Sequence, residues 1–113
     1  ETLPPVLSTP RMIGYLERTA HLGVLPYLKE GQTTVGTLVN VRHLAAPPVG
    51  MAVRFRAELL QQEGRRLLFK VEAWDEVEKI ADGEHERFII DTARFDARLA
   101  EKQAQIKPQG SAS

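Results

Sequence analysis

From Ser8 to Leu28 apolar residues return every three or four positions, and no stretch before Thr92 repeats that period. Met12, Ile13, Leu16, Ala20, Val24 and Leu28 form the stripe, which is the spacing of one face of an α-helix. Thr9-Pro10 opens it. A Thr hydroxyl can take up an orphan amide of the first turn, and proline there gives up no donor that the helix needs. Pro26 would remove an interior hydrogen bond, so it marks a kink or the last turn, and Gly31 ends the element behind Lys29. A helix this long with one apolar stripe has to be covered on that side by an element of matching size. One residue disturbs the stripe. Glu17 lies at its edge, with Ile13 a turn before it and Ala20 and Val24 after it on the same side. A carboxylate turned toward an apolar region needs a hydrogen-bonding or charged partner.

The following segments change to period two, the signature of strands. Between Thr33 and Ala45, residues Val35, Thr37, Val39, Val41 and His43 fall on one face, and Gly36, Leu38, Asn40, Arg42 and Leu44 on the other. Ala46-Pro47-Pro48-Val49-Gly50 is a break and a turn. Met51, Val53, Phe55, Ala57 and Leu59 then alternate with Ala52, Arg54, Arg56 and Glu58, a strand with one wet face. Gln62-Glu63-Gly64-Arg65 suits a tight hairpin with Gly64 at the positive-φ position. Leu67, Phe69, Val71 and Ala73 alternate with Leu68, Lys70, Glu72 and Trp74, and after a turn at Asp75 to Glu78 a less regular fourth strand runs from Lys79 to Asp91. Thr92 can cap a final amphipathic helix carrying Phe95, Leu99 and Ile106. Glu1 to Leu7 read as an extended lead-in, and the polar end beyond Lys107 as a flexible tail. The pattern predicts one domain over residues 1–107 with a tail at 108–113. Short connections imply antiparallel neighbours. The expected architecture is therefore α+β, a curved antiparallel sheet wrapped around a long central helix.

Composition narrows what such a domain can do. The 113 residues carry 15 acidic and 15 basic side chains, so no net field draws the chain to nucleic acid or to an anionic membrane. There is no cysteine, which excludes disulfides, Cys-ligated zinc and thiol catalysis. No two His stand at metal-ligand spacing, so no metal is expected. No apolar run approaches membrane-spanning length and no signal peptide is evident, which makes the cytoplasm the default location. Glu1 is expected not to be the native start, since no initiating Met stands there. A chain this short builds a modest core, so burial through a dimer interface is expected.

The chemistry rests on few residues. His43 shares a strand face with Val39 and Val41 and points toward the helix side, the side that would also hold Glu17. An imidazole and a carboxylate in one apolar region are the minimum kit for acid–base work, and equally a structural hydrogen-bonded pair. His21, one turn after Glu17, offers a competing surface pair. His85, flanked by Glu84 and Glu86, is expected to be solvated. Thr9 reads first as a helix cap, although the amides of that first turn could also stabilise a developing oxyanion. Gly36, inside a strand, marks a bulge or the close approach of another group. Arg87 reads either as a salt-bridge partner or as a clamp for a phosphate or carboxylate.

Four segments, in order, carry a resemblance: Ser8-Thr9 with Glu17 on the helix behind it, Val41-Arg42-His43-Leu44-Ala45-Ala46-Pro47, Glu63-Gly64-Arg65-Arg66-Leu67, and Gly83-Glu84-His85-Glu86-Arg87. From about Pro5 to Phe95 the chain resembles the hotdog-fold thioesterases similar to fluoroacetyl-CoA thioesterase. The resemblance implies a homodimer, with larger assemblies left open, whose acyl-CoA sites lie between subunits. It places the family's catalytic residues on Thr9, Glu17 and His43, and its substrate-binding residues on Gly36 and Arg87. Coenzyme A would enter as part of the substrate, with no separate cofactor. Family members begin with a further strand and a gating segment before the Thr; only Glu1 to Leu7 precede it here, so that strand is expected to be absent. Fluoroacetyl-CoA is not carried over as the substrate.

Three functions follow as alternatives. The first is an acyl-CoA thioesterase that hydrolyses a small acyl-CoA to free acid and CoA. Glu17 would be nucleophile or general base, His43 base and proton donor, and Arg87 the anchor of anionic substrate parts. The second is a non-catalytic module that binds acyl-CoA or a small carboxylate. The third is a structural domain in which Glu17 and His43 form a buried pair.

Overall fold

The computed structural model describes residues 7–106. Helix α1 spans Thr9–Val24, and its stripe buries Met12, Leu16 and Ala20, one residue per turn. Its cap is Ser8, one residue earlier than expected: the Ser8 hydroxyl accepts the Arg11 amide at 3.4 Å. Pro10 stands in the first turn, where its missing amide costs nothing. The helix stops at Val24, and Pro26 falls in a 3-10 turn, Leu25–Tyr27, rather than in an α-helical last turn. Gly31 then takes a φ of 81° to redirect the chain.

Four strands follow: β1 (Gln32–His43), β2 (Arg54–Glu63), β3 (Arg66–Trp74) and β4 (Lys79–Asp91). The closing helix, α2 (Thr92–Ala104), has Asp91 rather than Thr92 at its N-cap and buries no residue. All pairings are antiparallel, in the order β1-β4-β3-β2. The β2–β3 hairpin turns at Gly64, with φ 58°. One expectation needs correcting. Short connections predict that strands adjacent in sequence pair, but β1 and β2 are the two edge strands, and residues 44–53, with the break at Ala46 to Gly50, carry the chain from one edge of the sheet to the other.

Leu67, Phe69, Val71 and Ala73 turn one face of β3 toward α1 and close the core with Met12, Leu16 and Ala20. The opposite face is wet and charged. There Glu72, only 6% exposed, is held by Lys79 at 2.8 Å and Arg56 at 3.1 Å, and hydrogen bonding from Lys79 keeps its carboxyl below the ordinary range. Arg54 stacks on Trp74 at 4.9 Å beside them.

Strand β1 does not alternate as its sequence suggests. Gly36 pairs with Arg87 and Leu38 with Glu86, so Thr37 is an extra residue in a bulge. Before it the even residues Thr34 and Gly36 share the face of Arg87; after it the odd residues Val39 and His43 share the face of His85 and Ala81. Gly36 and His43, assigned to opposite faces by strict alternation, therefore lie on the same one.

Candidate functional site

Because Ser8 supplies the cap, the Thr9 hydroxyl is free for other work. Its Oγ1 lies 2.8 Å from His43 Nδ1, so the start of α1 is tied to the end of β1. The other ring nitrogen, His43 Nε2, is buried with no hydrogen-bond partner among the described residues. A hydroxyl both donates and accepts, so Thr9 can hold either neutral tautomer of this ring. When His43 Nδ1–H donates to Thr9, Nε2 carries a lone pair and can take a proton, which the imidazolium can then return; when Thr9 donates instead, Nε2 carries the hydrogen and can donate a hydrogen bond.

The second group gathers over Gly36. A side-chain carbon built on this glycine would lie 2.9 Å from Glu17 Oε2, 3.2 Å from His85 Cε1 and 3.4 Å from Arg87 Nη1. The absence of a side chain is what lets a carboxylate, an imidazole and a guanidinium approach the strand together. Arg87 is 8% exposed. It donates from Nε to Thr34 Oγ1 at 2.8 Å and from Nη2 to the Thr34 carbonyl at 2.9 Å, while Nη1 lies 3.1 Å from His85 Nε2. His85 Nδ1 lies 2.8 Å from the Leu38 carbonyl, and His21 Nδ1 lies 2.7 Å from Thr34 Oγ1. Burial pushes the His85 and His21 imidazoles below their ordinary value, and the Arg87 charge adds to the effect on both.

Two expectations are corrected here. His85 is not solvated; it is 1% exposed. Its charged neighbours Glu84 and Glu86 lie on the outer face, whereas His85 and Arg87 share the inner one. The period-two alternation of Gly83, His85, Arg87 and Ile89 was the signal for this. His21 pairs with Thr34 and not with Glu17.

Thr9 and His43 thus meet, and Glu17, Gly36 and Arg87 meet, but the two groups stand apart within one chain. Thr9 and Glu17 are eight positions apart on α1, about 12 Å along its axis, and no hydrogen bond joins Glu17 to His43 among the described residues. A groove of about 390 Å³ runs beside Leu7, Arg11, Tyr15, Pro47 and Phe55, and none of Thr9, Glu17, Gly36, His43 and Arg87 lines it. Among the described residues no group of three or more His, Asp or Glu could hold a metal ion, and no helix is long and apolar enough to cross a membrane.

An antiparallel sheet laid against one long helix, with a helix-borne carboxylate and strand-borne imidazoles on the shared face, defines a class: the hotdog-fold acyl-CoA thioesterases. A hot-dog-like protein from Thermanaerovibrio acidaminovorans superposes with a TM-score of 0.82 at 26% identity, over 87% of this chain and 73% of its own. A thioesterase superfamily member from Thermus thermophilus does so with a TM-score of 0.83 at 34% identity, over 92% and 79%. Within the class, residues 1–93 match the family model of the fluoroacetyl-CoA-specific thioesterase, and the chain belongs to that family. It is 40% identical over 99 residues to the fluoroacetyl-CoA thioesterase of Streptantibioticus cattleyicolor, covering 88% of this chain and 71% of that protein. A solved structure of the fluoroacetyl-CoA thioesterase FlK has a TM-score of 0.85 at 40% identity, over 88% of this chain and 74% of its own. A variant of FlK has been solved in complex with fluoroacetate and CoA.

Proposed function

We propose that this protein hydrolyses the thioester of a small acyl-CoA, releasing the free acid and CoA, and that Thr9, Glu17 and His43 carry the reaction with Gly36 and Arg87 binding the acyl end. The observation that carries this is the gap over Gly36, bounded by Glu17 Oε2 and Arg87 Nη1. Arg87 has five N–H donors. Three are directed at Thr34 Oγ1, the Thr34 carbonyl and His85 Nε2, which leaves two for a substrate oxygen. Its burial suits it to the acyl carbonyl and the product carboxylate; the phosphates of CoA stay in water. The narrowness of the gap is the reason for assigning a small acyl group, and fluoroacetyl-CoA is one substrate to try first.

In the reaction, water adds to the thioester carbon as Glu17 or His43 Nε2 takes its proton, the C–S bond breaks, and the departing thiolate receives that proton back from the Glu17 carboxyl or the His43 imidazolium so formed. Alternatively Glu17 itself adds, and water then hydrolyses the mixed anhydride. Oxygen from labelled water appearing in Glu17 after one turnover would mark the second route. Chain and water supply every group needed, so the reading includes no cofactor beyond the CoA of the substrate.

The reading includes a homodimer. Glu17 lies about 12 Å along the helix from Thr9 within one chain, too far for both to work on one carbonyl. Strand β1 is an edge of the sheet, and Leu38 and Val39 on it are 48% and 39% exposed. A second copy paired along that edge would bring its own Glu17 toward the Thr9–His43 end of its neighbour. A cytoplasmic location goes with a CoA thioester as substrate.

The test is thiol release from a panel of acyl-CoAs. Wild-type protein should turn over at least one short acyl-CoA, and Glu17→Gln should lower kcat by about 10²–10⁴-fold. Wild-type turnover by that variant would remove Glu17 from the chemistry. Tight CoA-ester binding with no thiol released over hours would make the protein a binding module.

A further inference from the structure

We infer that His85, which the reaction above does not use, is a positioning residue for Arg87: it accepts one guanidinium N–H and so aims the remaining donors at the gap over Gly36. The inference rests on the reading that Arg87 binds the acyl end. It starts from a chemical asymmetry between the two ring nitrogens. His85 Nδ1 lies 2.8 Å from the Leu38 carbonyl, which can only accept, so Nδ1 carries the hydrogen. Nε2 lies 3.1 Å from Arg87 Nη1, which can only donate, so Nε2 carries the lone pair. Both contacts are satisfied by one species alone, the neutral Nδ1–H tautomer. A protonated ring would turn an N–H toward an N–H and release Arg87.

The surroundings agree. His85 is 1% exposed. The charged groups facing it are Arg87 from its own strand and Glu17 from α1; His21, also on α1, reaches it only through Thr34 and Arg87. From β1 it meets the Leu38 carbonyl, and from β3 its cross-strand neighbour is the apolar Phe69. Thr34 grips the other side of the guanidinium through its hydroxyl and carbonyl, so His85 and Thr34 together leave Arg87 one orientation. Without His85, Nη1 would be free to swing toward Glu17 and close the gap.

The test combines a ring spectrum with a mutant cycle. Long-range proton–nitrogen NMR correlations on the wild-type protein should show His85 as the neutral Nδ1–H tautomer at neutral pH. His85→Leu should lower kcat/KM by about tenfold, His85→Gln, which keeps a carbonyl acceptor, should recover most of it, and His85→Leu should cost nothing further in an Arg87→Met background. An Nε2–H or charged ring, or losses that multiply in the double variant, would overturn the inference. Should His85→Leu fail to fold, the wild-type spectrum and His85→Gln still decide: an Nε2–H or charged ring, or a folded His85→Gln variant with kcat/KM lowered as far as in Arg87→Met, overturns the inference. Wild-type protein that releases no thiol from any acyl-CoA would overturn the thioesterase reading instead, and the spectrum separates the two because it needs no turnover.

Discussion

Replacing Gly36 by alanine should damage turnover and spare the fold. The added carbon would lie 2.9 Å from Glu17 Oε2, 3.2 Å from His85 Cε1 and 3.4 Å from Arg87 Nη1. Only the first is a hard overlap, and it involves the end of a flexible side chain. Bringing Glu17 out to the 3.4 Å at which Arg87 already stands requires a retreat of about 0.5 Å. Gly36 is not among the positive-φ glycines of the described residues, which are Gly31, Gly50 and Gly64, so alanine meets no backbone penalty. The reduced freedom of the unfolded chain even favours alanine by about 0.4–1 kcal/mol. Stability should therefore change by less than about 1 kcal/mol, or roughly 4–8 °C in Tm for a domain of this size. Turnover is more sensitive. A misplacement of about 1 Å costs about 10²-fold, so a displacement of half that size should cost about tenfold in kcat. A thiol reagent reads this cleanly, because the chain has no cysteine and only released CoA reacts. Unchanged kcat would refute the reasoning by showing that no reacting group depends on the gap. A melting temperature that collapsed together with kcat would refute it too.

Gly83→Ala should do the reverse, since its Cβ would strike the Asn40 carbonyl oxygen at 2.1 Å and Val41 Cα at 2.6 Å, both backbone; about 3 kcal/mol of stability should be lost, and a wild-type urea midpoint would contradict this. Ser8→Ala should cost about 0.5–1 kcal/mol through the cap with turnover retained, whereas Thr9→Val should keep stability and lower kcat by freeing His43; thermal melts paired with thiol release check both. Folding lowers the affinity of His85 and His21 for protons, so the unfolded chain binds protons first as pH falls. Their stabilisation is complete above about pH 6.5 and is lost below it, so Tm should drop between about pH 7.5 and pH 5.5 and drop less in His85→Gln; a flat wild-type Tm over that range would contradict the assignment.

Much of the fold was legible because it rests on periodicity. The helical stripe of Met12, Leu16 and Ala20, the alternation of Leu67 through Ala73 and the glycine of the β2–β3 turn each state their own burial. Strand order was not legible. Nothing local distinguishes residues 44–53, which cross the sheet, from a hairpin of the same proline-rich composition. Ser8 and Thr9 are both good caps, and only the three-dimensional position of His43 decides which of the two is released from that duty.

Gly36 shows why the site was harder to read than the fold. Strict alternation puts it on the face opposite His43, and a single extra residue in the bulge at Thr37 cancels that conclusion for everything downstream. A glycine inside a strand is consistent with a bulge, but its sequence does not say on which side of the glycine the extra residue falls. The same shift explains why Arg87 and His85 act at different depths along β1: Arg87 pairs with Gly36 before the bulge, and His85 with Val39 beyond it. The bulge thus lies between the guanidinium and the imidazole that steadies it. Were Thr37 instead paired in regular register, every later residue of β1 would move one place along β4 and His43 would turn to the opposite face, so the Thr9–His43 contact depends on one bulge in one strand.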